Sequence, residues 1–93
     1  IGPMHFEVGP DVLDAFTKGD AAAEQHFVPK SPGKWLADLP GLARRRLAAL
    51  GVGRVFGGQW CTFTDDARFF SHRRDRITGR MAAMIWLDPA ANR

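Results

Sequence analysis

The order of apolar and polar positions in the first third of the chain predicts a strand, a helix and a loop. Residues 6–8 alternate apolar and polar side chains as the end of a strand does, and residues 9–11 break that pattern and begin a helix. One face of this helix carries apolar side chains at helical spacing: Val12, Leu13 and Phe16. Residues 20–34 contain two prolines and a glycine, so we expect a loop there, with at most one helical turn at the three alanines.

The clearest predicted element is a helix that begins after Asp38 and ends at Gly51. Asp is favoured at the N-cap position, and Pro40 suits the first helical turn. The apolar stripe of this helix consists of Leu39, Leu42, Ala43, Leu47 and Leu50. Three consecutive arginines, residues 44–46, lie towards its C-terminal end, where cations complement the helix dipole. We therefore interpret them as structural and not as a nucleic-acid site.

Three further apolar segments are predicted as strands, at residues 52–56, 60–64 and 81–87. The last is a continuous apolar run, which is typical of a strand buried on both faces. Helices and strands together predict an α+β fold with a mixed sheet and flanking helices.

Composition narrows the class of protein. The chain has 93 residues, which suits one domain, and 45% hydrophobic with 25% charged residues excludes an intrinsically disordered chain. A single cysteine excludes an internal disulfide framework. No apolar run approaches the length of a membrane span, and no segment resembles a signal peptide. The sequence begins with Ile1 instead of Met, from which we expect a chain that starts in mid-protein.

Charge is unevenly distributed along the chain. Residues 1–43 carry a net charge of −3 and residues 44–93 carry +6, with all ten arginines in the second part. Arg forms bidentate contacts with phosphate and carboxylate groups, so this half favours an anionic partner. Many of these arginines are equally well interpreted as surface or structural ion pairs.

The residues whose side chains can bind a ligand or react with it lie between positions 57 and 80. The candidate substrate-binding residues are Cys61, Ser71, His72, Arg73 and Arg74. The hydroxyl and the guanidinium groups can donate to an oxyanion. If this segment is a strand, Ser71 and Arg73 point to one side, and the two arginines then have different roles. Structural interpretations also stand: Cys61 as a small buried residue, and His72 as a hydrogen-bonded one.

Four short motifs, in this order and spacing, resemble the YfiH family, which is also called the laccase-domain or multicopper polyphenol oxidase family. They are residues 1–9 (Ile-Gly-Pro to Phe-Glu-Val-Gly), 61–65 (Cys-Thr-Phe-Thr-Asp), 69–75 (Phe-Phe-Ser-His-Arg-Arg-Asp) and 78–82 (Thr-Gly-Arg-Met-Ala). The resemblance covers the chain from Ile1 to about Leu87 and implies that residues 1–93 are the C-terminal part of one longer domain, a layered α/β sandwich.

What the resemblance implies about function is phosphorolysis of purine nucleosides, with adenosine deamination alongside. It implies purine nucleoside and phosphate as partners and a cytoplasmic location. It also implies a zinc ion held by two His and one Cys in the preceding part of the domain, so that Cys61 lines the site and this chain contributes no metal ligand. Two departures are His72 and Phe63, where the family often has Tyr. Each removes a phenol hydroxyl.

Other interpretations remain open at the level of sequence. One is a small basic nucleic-acid-binding module, although no known nucleic-acid motif occurs and the arginines are scattered. Another is the polyphenol oxidase activity of the family's older label. A third is that the chain alone is inactive and has apolar surface that binds the absent part of the domain or a second copy.

Overall fold

The structure is a computed structural model, which describes residues 1–89. In chain order it contains strand β1 (Glu7–Val8), helix α1 (Pro10–Thr17), a 3-10 helix (Ala21–His26), strands β2 (Phe27–Ser31) and β3 (Lys34–Ala37), helix α2 (Leu39–Ala49) and the short helix α3 (His72–Asp75). Helices and a small sheet confirm the α+β class.

The sheet has three strands in the order β1-β3-β2, and both of its pairings are antiparallel. A mixed sheet was predicted, whereas the strands that the structure describes make antiparallel ladders. The predicted loop at residues 20–34 was wrong, because β2 and β3 form a hairpin there. Pro29 is tolerated because β2 is an edge strand, and Gly33 makes the turn with a φ of +73°.

Helices α1 and α2 form where the sequence predicts them. Pro10 occupies the first turn of α1, with Asp11 beside it. Asp38 caps α2, and its Oδ1 accepts a hydrogen bond from the backbone N–H of Gly41 at 3.1 Å. Gly51 follows this helix with a φ of +87°, a conformation that favours glycine.

The core lies between α1, α2, the 3-10 helix and the sheet. Its buried members are Val8, Ala23, Phe27, Ala37 and Leu42. Side chains of intermediate burial surround them: Phe6, Val12, Leu13, Phe16 and Trp35. Of the predicted α2 stripe only Leu42 is fully buried, and Leu50 is exposed.

The arginines of α2 are structural, as predicted. Arg44 donates to the carbonyl oxygen of Gly57 at 2.6 Å. Arg45 makes a bidentate pair with Asp20, which ties α2 to the start of the 3-10 helix. Arg46 lies over the ring of Phe16, 5.2 Å from its centroid.

The second half of the described chain contains little regular structure. The strands predicted at residues 52–56, 60–64 and 81–87 were wrong for this chain, because none of these segments has a pairing partner within residues 1–89. Apolar sequence alone does not make a strand, since the ladder needs a neighbour whose backbone groups it can bond.

Candidate functional site

A cleft of about 360 Å³ lies between the N-terminal segment and the loop that carries Cys61. This loop, residues 58–64, contributes one wall, and residues 2–5 contribute the other. The lining residues are Gly2, Pro3, Met4, His5, Gly58, Gln59, Trp60, Cys61 and Thr64. Its volume lies in the range of small-molecule sites, and its wall combines aromatic rings with a few polar groups.

Cys61 is held in the cleft by backbone hydrogen bonds. The N–H of Gly2 donates to its Sγ at 3.2 Å, and a Cβ added at Gly2 would lie 3.1 Å from the Cβ of Cys61. Desolvation raises the pKa of this thiol, but hydrogen bonds from the backbone of Gly2 and from Thr64 and Phe63 outweigh it and lower the pKa to about 7. The thiol is therefore more readily ionised near neutral pH than an ordinary cysteine.

Two of the cleft residues, His5 and Trp60, make ring contacts with residues outside the lining. His5 stacks on Phe63 with ring centroids 4.7 Å apart, and Arg68 lies over the indole of Trp60 at 4.5 Å. The sequence assigned no role to His5, because no metal-ligand spacing or helical face marks it. Phe63, where the family often has Tyr, is the ring on which His5 stacks.

Ser71 begins a helix and not a strand, so the predicted alternation of side chains from 71 to 74 was wrong. Ser71 is the N-cap of α3, is 7% exposed, and its Oγ accepts from the backbone N–H of Arg74 at 3.3 Å. Capping by Ser satisfies an N–H that would otherwise lack a partner. His72 is the first residue of α3 and is exposed.

Arg74 is a junction between α3 and the Cys61 loop. Its Nη1 donates to the carbonyl oxygens of Thr62 at 2.8 Å and Phe63 at 3.2 Å. Its Nη2 donates to the carbonyl oxygen of Phe69 at 2.9 Å, and both Nη2 and Nε reach the carboxylate of Asp75. The hydrogen bond and charge of Asp75 raise the pKa of this guanidinium. All five N–H groups of Arg74 thus have partners within the chain.

Arg73 points elsewhere and holds α3 against β1. Its Nη1 donates to the carbonyl oxygen of Glu7 at 2.9 Å, and its guanidinium lies 5.2 Å from the ring centroid of Phe6. The Glu7 carboxylate accepts from Lys30 Nζ at 2.9 Å, and that hydrogen bond lowers the pKa of Glu7. Arg73 is exposed, and its contact with Glu7 commits one N–H group.

The five predicted residues therefore lie in one region but do not face one cavity. Cys61 lines the cleft. Arg74 holds the backbone of the loop behind it, Ser71 caps α3, and His72 and Arg73 are exposed on α3. Their part in substrate binding stays a prediction.

Within residues 1–89, no three His, Cys, Asp or Glu side chains are grouped so as to hold a metal ion. In the same residues, no helix is long and apolar enough to cross a membrane.

Comparison with known proteins identifies one matching family and several relatives of similar sequence. A family model described as multi-copper polyphenol oxidoreductase laccase matches residues 1–88. A purine nucleoside phosphorylase of Pseudomonas aeruginosa is 53% identical over 88 residues, which are 94% of this chain and 36% of the relative. The purine nucleoside phosphorylase YfiH of Escherichia coli K12 is 53% identical over 87 residues, 94% of this chain and 35% of the relative.

A solved structure shows the same arrangement. The crystal structure of a Neisseria meningitidis protein matches with a TM-score of 0.78 and 48% identity, over 81% of this chain and 31% of that one. The chain thus spans about a third of the length of the relatives that it matches.

Proposed function

The chain belongs to the multi-copper polyphenol oxidoreductase laccase family, and we propose that it supplies one substrate-binding wall of a purine nucleoside phosphorylase. The observation that carries this proposal is the 53% identity to two relatives with that name across 94% of the chain. Because the chain spans about a third of those relatives, the activity is proposed for a protein that also contains the remaining part.

The cleft beside Cys61 suits a nucleoside. Phe63 covers one face of His5 and Arg68 covers one face of Trp60, so each ring has one further face for a purine, and the thiol of Cys61 offers a polar contact in the same cleft. Phosphorolysis needs the phosphate beside the anomeric carbon: a phosphate oxygen bonds to C1′, the C1′–N9 bond breaks, and the base leaves with its electron pair and takes up a proton. Products are the free purine and ribose 1-phosphate.

The two arginines have separate roles in this proposal. Arg73 is the anion-binding candidate, because it is exposed and its hydrogen bond to Glu7 uses only one of its N–H groups. Arg74 is a positioning residue that holds the backbone of Thr62 and Phe63, and with it the Cys61 loop. Ser71 positions α3 as its cap, and His72 is exposed on that helix.

Zinc dependence and adenosine deamination belong to the proposal only through the family resemblance. The described residues do not fit a zinc site, since they contain no group of three suitable ligands. Zinc in the intact protein would be held by the part outside this chain, and no step assigned to these residues depends on it. A cytoplasmic location is proposed on the same resemblance.

Polyphenol oxidation is the second candidate, and the description of the matched family favours it. A nucleic-acid-binding role receives less support, because Arg44, Arg45 and Arg74 are engaged within the chain. A phenol-oxidation assay and a salt-dependent gel shift separate these alternatives from nucleoside cleavage.

The test uses a chimera in which this chain replaces the matched residues of the Pseudomonas aeruginosa relative. We expect phosphate-dependent release of base from adenosine or inosine. Arg73→Ala should raise the KM for phosphate about tenfold or more, as loss of one charge-assisted contact does. Arg54→Ala is the matched control, since Arg54 is exposed outside the cleft. A folded chimera that cleaves no nucleoside would overturn the proposal.

A further inference from the structure

A second cavity, of about 440 Å³, lies between α1, the 3-10 helix and α2. None of the residues that line it belongs to the cleft beside Cys61. A Cβ added at Gly19, on its wall, would meet no atom within 4 Å, so the space there is open. A volume of this size lies in the range of small-molecule sites. The apolar part of the wall consists of Ala15, Phe16, Gly19, Ala23, Leu42 and Ala49.

The same cavity is also lined by three charged side chains, Asp20, Arg45 and Arg46. The carboxylate of Asp20 accepts from Nε and Nη2 of Arg45, which fixes that guanidinium beside the 3-10 helix. This hydrogen bond, and after it the charges of Arg45 and Arg46, lower the pKa of Asp20, so both cations act on one carboxylate. Asp20 therefore balances one arginine, and the charged part of the wall keeps one positive charge in excess.

Arg46 is held in place without the use of its hydrogen-bond donors. Its guanidinium lies over the ring of Phe16, 5.2 Å from the centroid. A cation–π contact engages the charge, and the five N–H groups of a guanidinium can still donate in its plane. Within residues 1–89, no acceptor of the chain bonds any of these N–H groups. Arg46 is therefore a positioned cation whose donors are available to a ligand.

The apolar wall and the excess charge together define the chemistry of a ligand. An uncharged apolar molecule would fill the cavity but leave the donors of Arg46 unused, and a small anion alone would leave the apolar wall in water. A planar carboxylate matches the donor fork of an arginine. One negative charge also balances the single excess positive charge, whereas a phosphate monoester would bring nearly two.

We propose that this cavity binds a small carboxylic acid with an apolar body, which lies against the alanine-rich wall while its carboxylate accepts hydrogen bonds from Arg46. The proposal goes beyond the proposed function, because the cavity shares no residue with the cleft assigned to the nucleoside.

Calorimetric titration of the chimera with octanoate tests this site. Acetate carries the charge without the apolar body, and octan-1-ol carries the apolar body without the charge. We expect octanoate to bind with a Kd below about 1 mM, and each of the other two compounds to bind about tenfold or more weakly.

Two pairs of variants locate the binding within the chain. Arg46→Gln should weaken octanoate about tenfold or more by removing the charged donor, whereas Arg54→Gln, at an exposed arginine outside the cavity, should not. Ala49→Leu should weaken octanoate to a similar extent by filling the cavity. Ala48→Leu, one position earlier on the same helix and outside the lining, is its control.

Three results would overturn the proposal. The first is a folded chimera that shows no saturable binding of octanoate up to about 10 mM. The second is octan-1-ol that binds as tightly as octanoate, since Arg46 would then recognise no anion. The third is equal affinity in both members of each variant pair, which would place octanoate on another apolar surface. Nucleoside cleavage is not a readout here, so failure of the proposed function would leave these outcomes unchanged.

Discussion

The guanidinium of Arg74 donates to the carbonyl oxygen of Thr62 at 2.8 Å, and this contact fixes the position of Cys61 relative to α3. The same side chain reaches Phe63, Phe69 and Asp75. One residue thus joins two of the motifs that mark the family, and its partners are mostly backbone atoms. The two motifs are held next to each other because the guanidinium of Arg74, in one motif, donates to carbonyl oxygens of the other.

Arg74→Lys tests this junction. A lysine ammonium has three donors and no planar fork, so it cannot satisfy three carbonyl oxygens and a carboxylate together. We expect the midpoint of thermal unfolding of the chimera to fall by several degrees, whereas Arg54→Lys leaves it unchanged. An unchanged midpoint in both variants would show that the junction does not hold the loop.

Gly58 and Gly57 form a matched pair that tests the wall of the cleft. Both have a positive φ, +87° and +85°, so Ala at either position costs about 1–2 kcal/mol in backbone strain. At Gly58 the added Cβ would also collide with the guanidinium of Arg44 and lie 3.2 Å from the Cβ of Pro40, while at Gly57 the nearest atom is 4.0 Å away. Gly58→Ala should therefore destabilise the chimera more than Gly57→Ala in urea unfolding. Equal losses of unfolding free energy in the two variants would mean that backbone strain alone accounts for the destabilisation.

Asp38→Ala tests the start of α2. The variant removes the hydrogen bond to the N–H of Gly41 and the 3.7 Å pair with His26. Loss of an N-cap typically costs about 1 kcal/mol. Asp14→Ala, an exposed aspartate on α1, is the control and should cost less. A smaller loss for Asp38→Ala than for Asp14→Ala in urea unfolding would contradict the capping role.

The ionisation of Cys61 gives a pH-dependent prediction. Hydrogen bonds to the thiolate lower its pKa to about 7, so alkylation of Cys61 in the chimera should rise with pH with a midpoint near 7. Thr64→Val removes one of these hydrogen bonds and should move the midpoint upwards. The pKa of Cys61 is lower in the folded chain than in the unfolded chain. The hydrogen bonds to the thiolate therefore stabilise the fold at pH values above the unfolded pKa, and this stabilisation is lost as the pH falls through about 7. A midpoint at an ordinary thiol value in the folded chimera, read on the Cys61 peptide, would contradict this environment.

The elements that the sequence predicted correctly are those whose signals are local. Pro10 and Asp38 mark helix starts through chemistry within one turn, and α1 and α2 form there. The hairpin of β2 and β3 was missed because Pro29 and Pro32 are typical of loops, although an edge strand and its turn accept them. Strand formation depends on a partner, which is why the apolar residues 81–87 make no ladder within the described chain.

For the candidate site, the sequence identified the types of residue but not where their side chains lie. Cys61 was identified from its motif, but nothing in the sequence places Gly2 against its sulfur, 59 positions away. Ser71 and Arg74 were interpreted as ligand donors because their groups suit oxyanions. In the structure Ser71 caps a helix of four residues, and the donors of Arg74 bond backbone oxygens and the carboxylate of Asp75, while a part for either residue in substrate binding stays a prediction. A Ser before a polar run is itself an N-cap signal, and it could have predicted α3.

The most direct test of the central claim is the identity of the sugar product. The chimera is incubated with adenosine and inorganic phosphate, and ³¹P NMR follows the phosphorus. We expect a new resonance of ribose 1-phosphate that grows in step with free purine and is absent without nucleoside. Free ribose with unchanged phosphate, or inosine as the sole product, would contradict assignment of this chain to a phosphorylase.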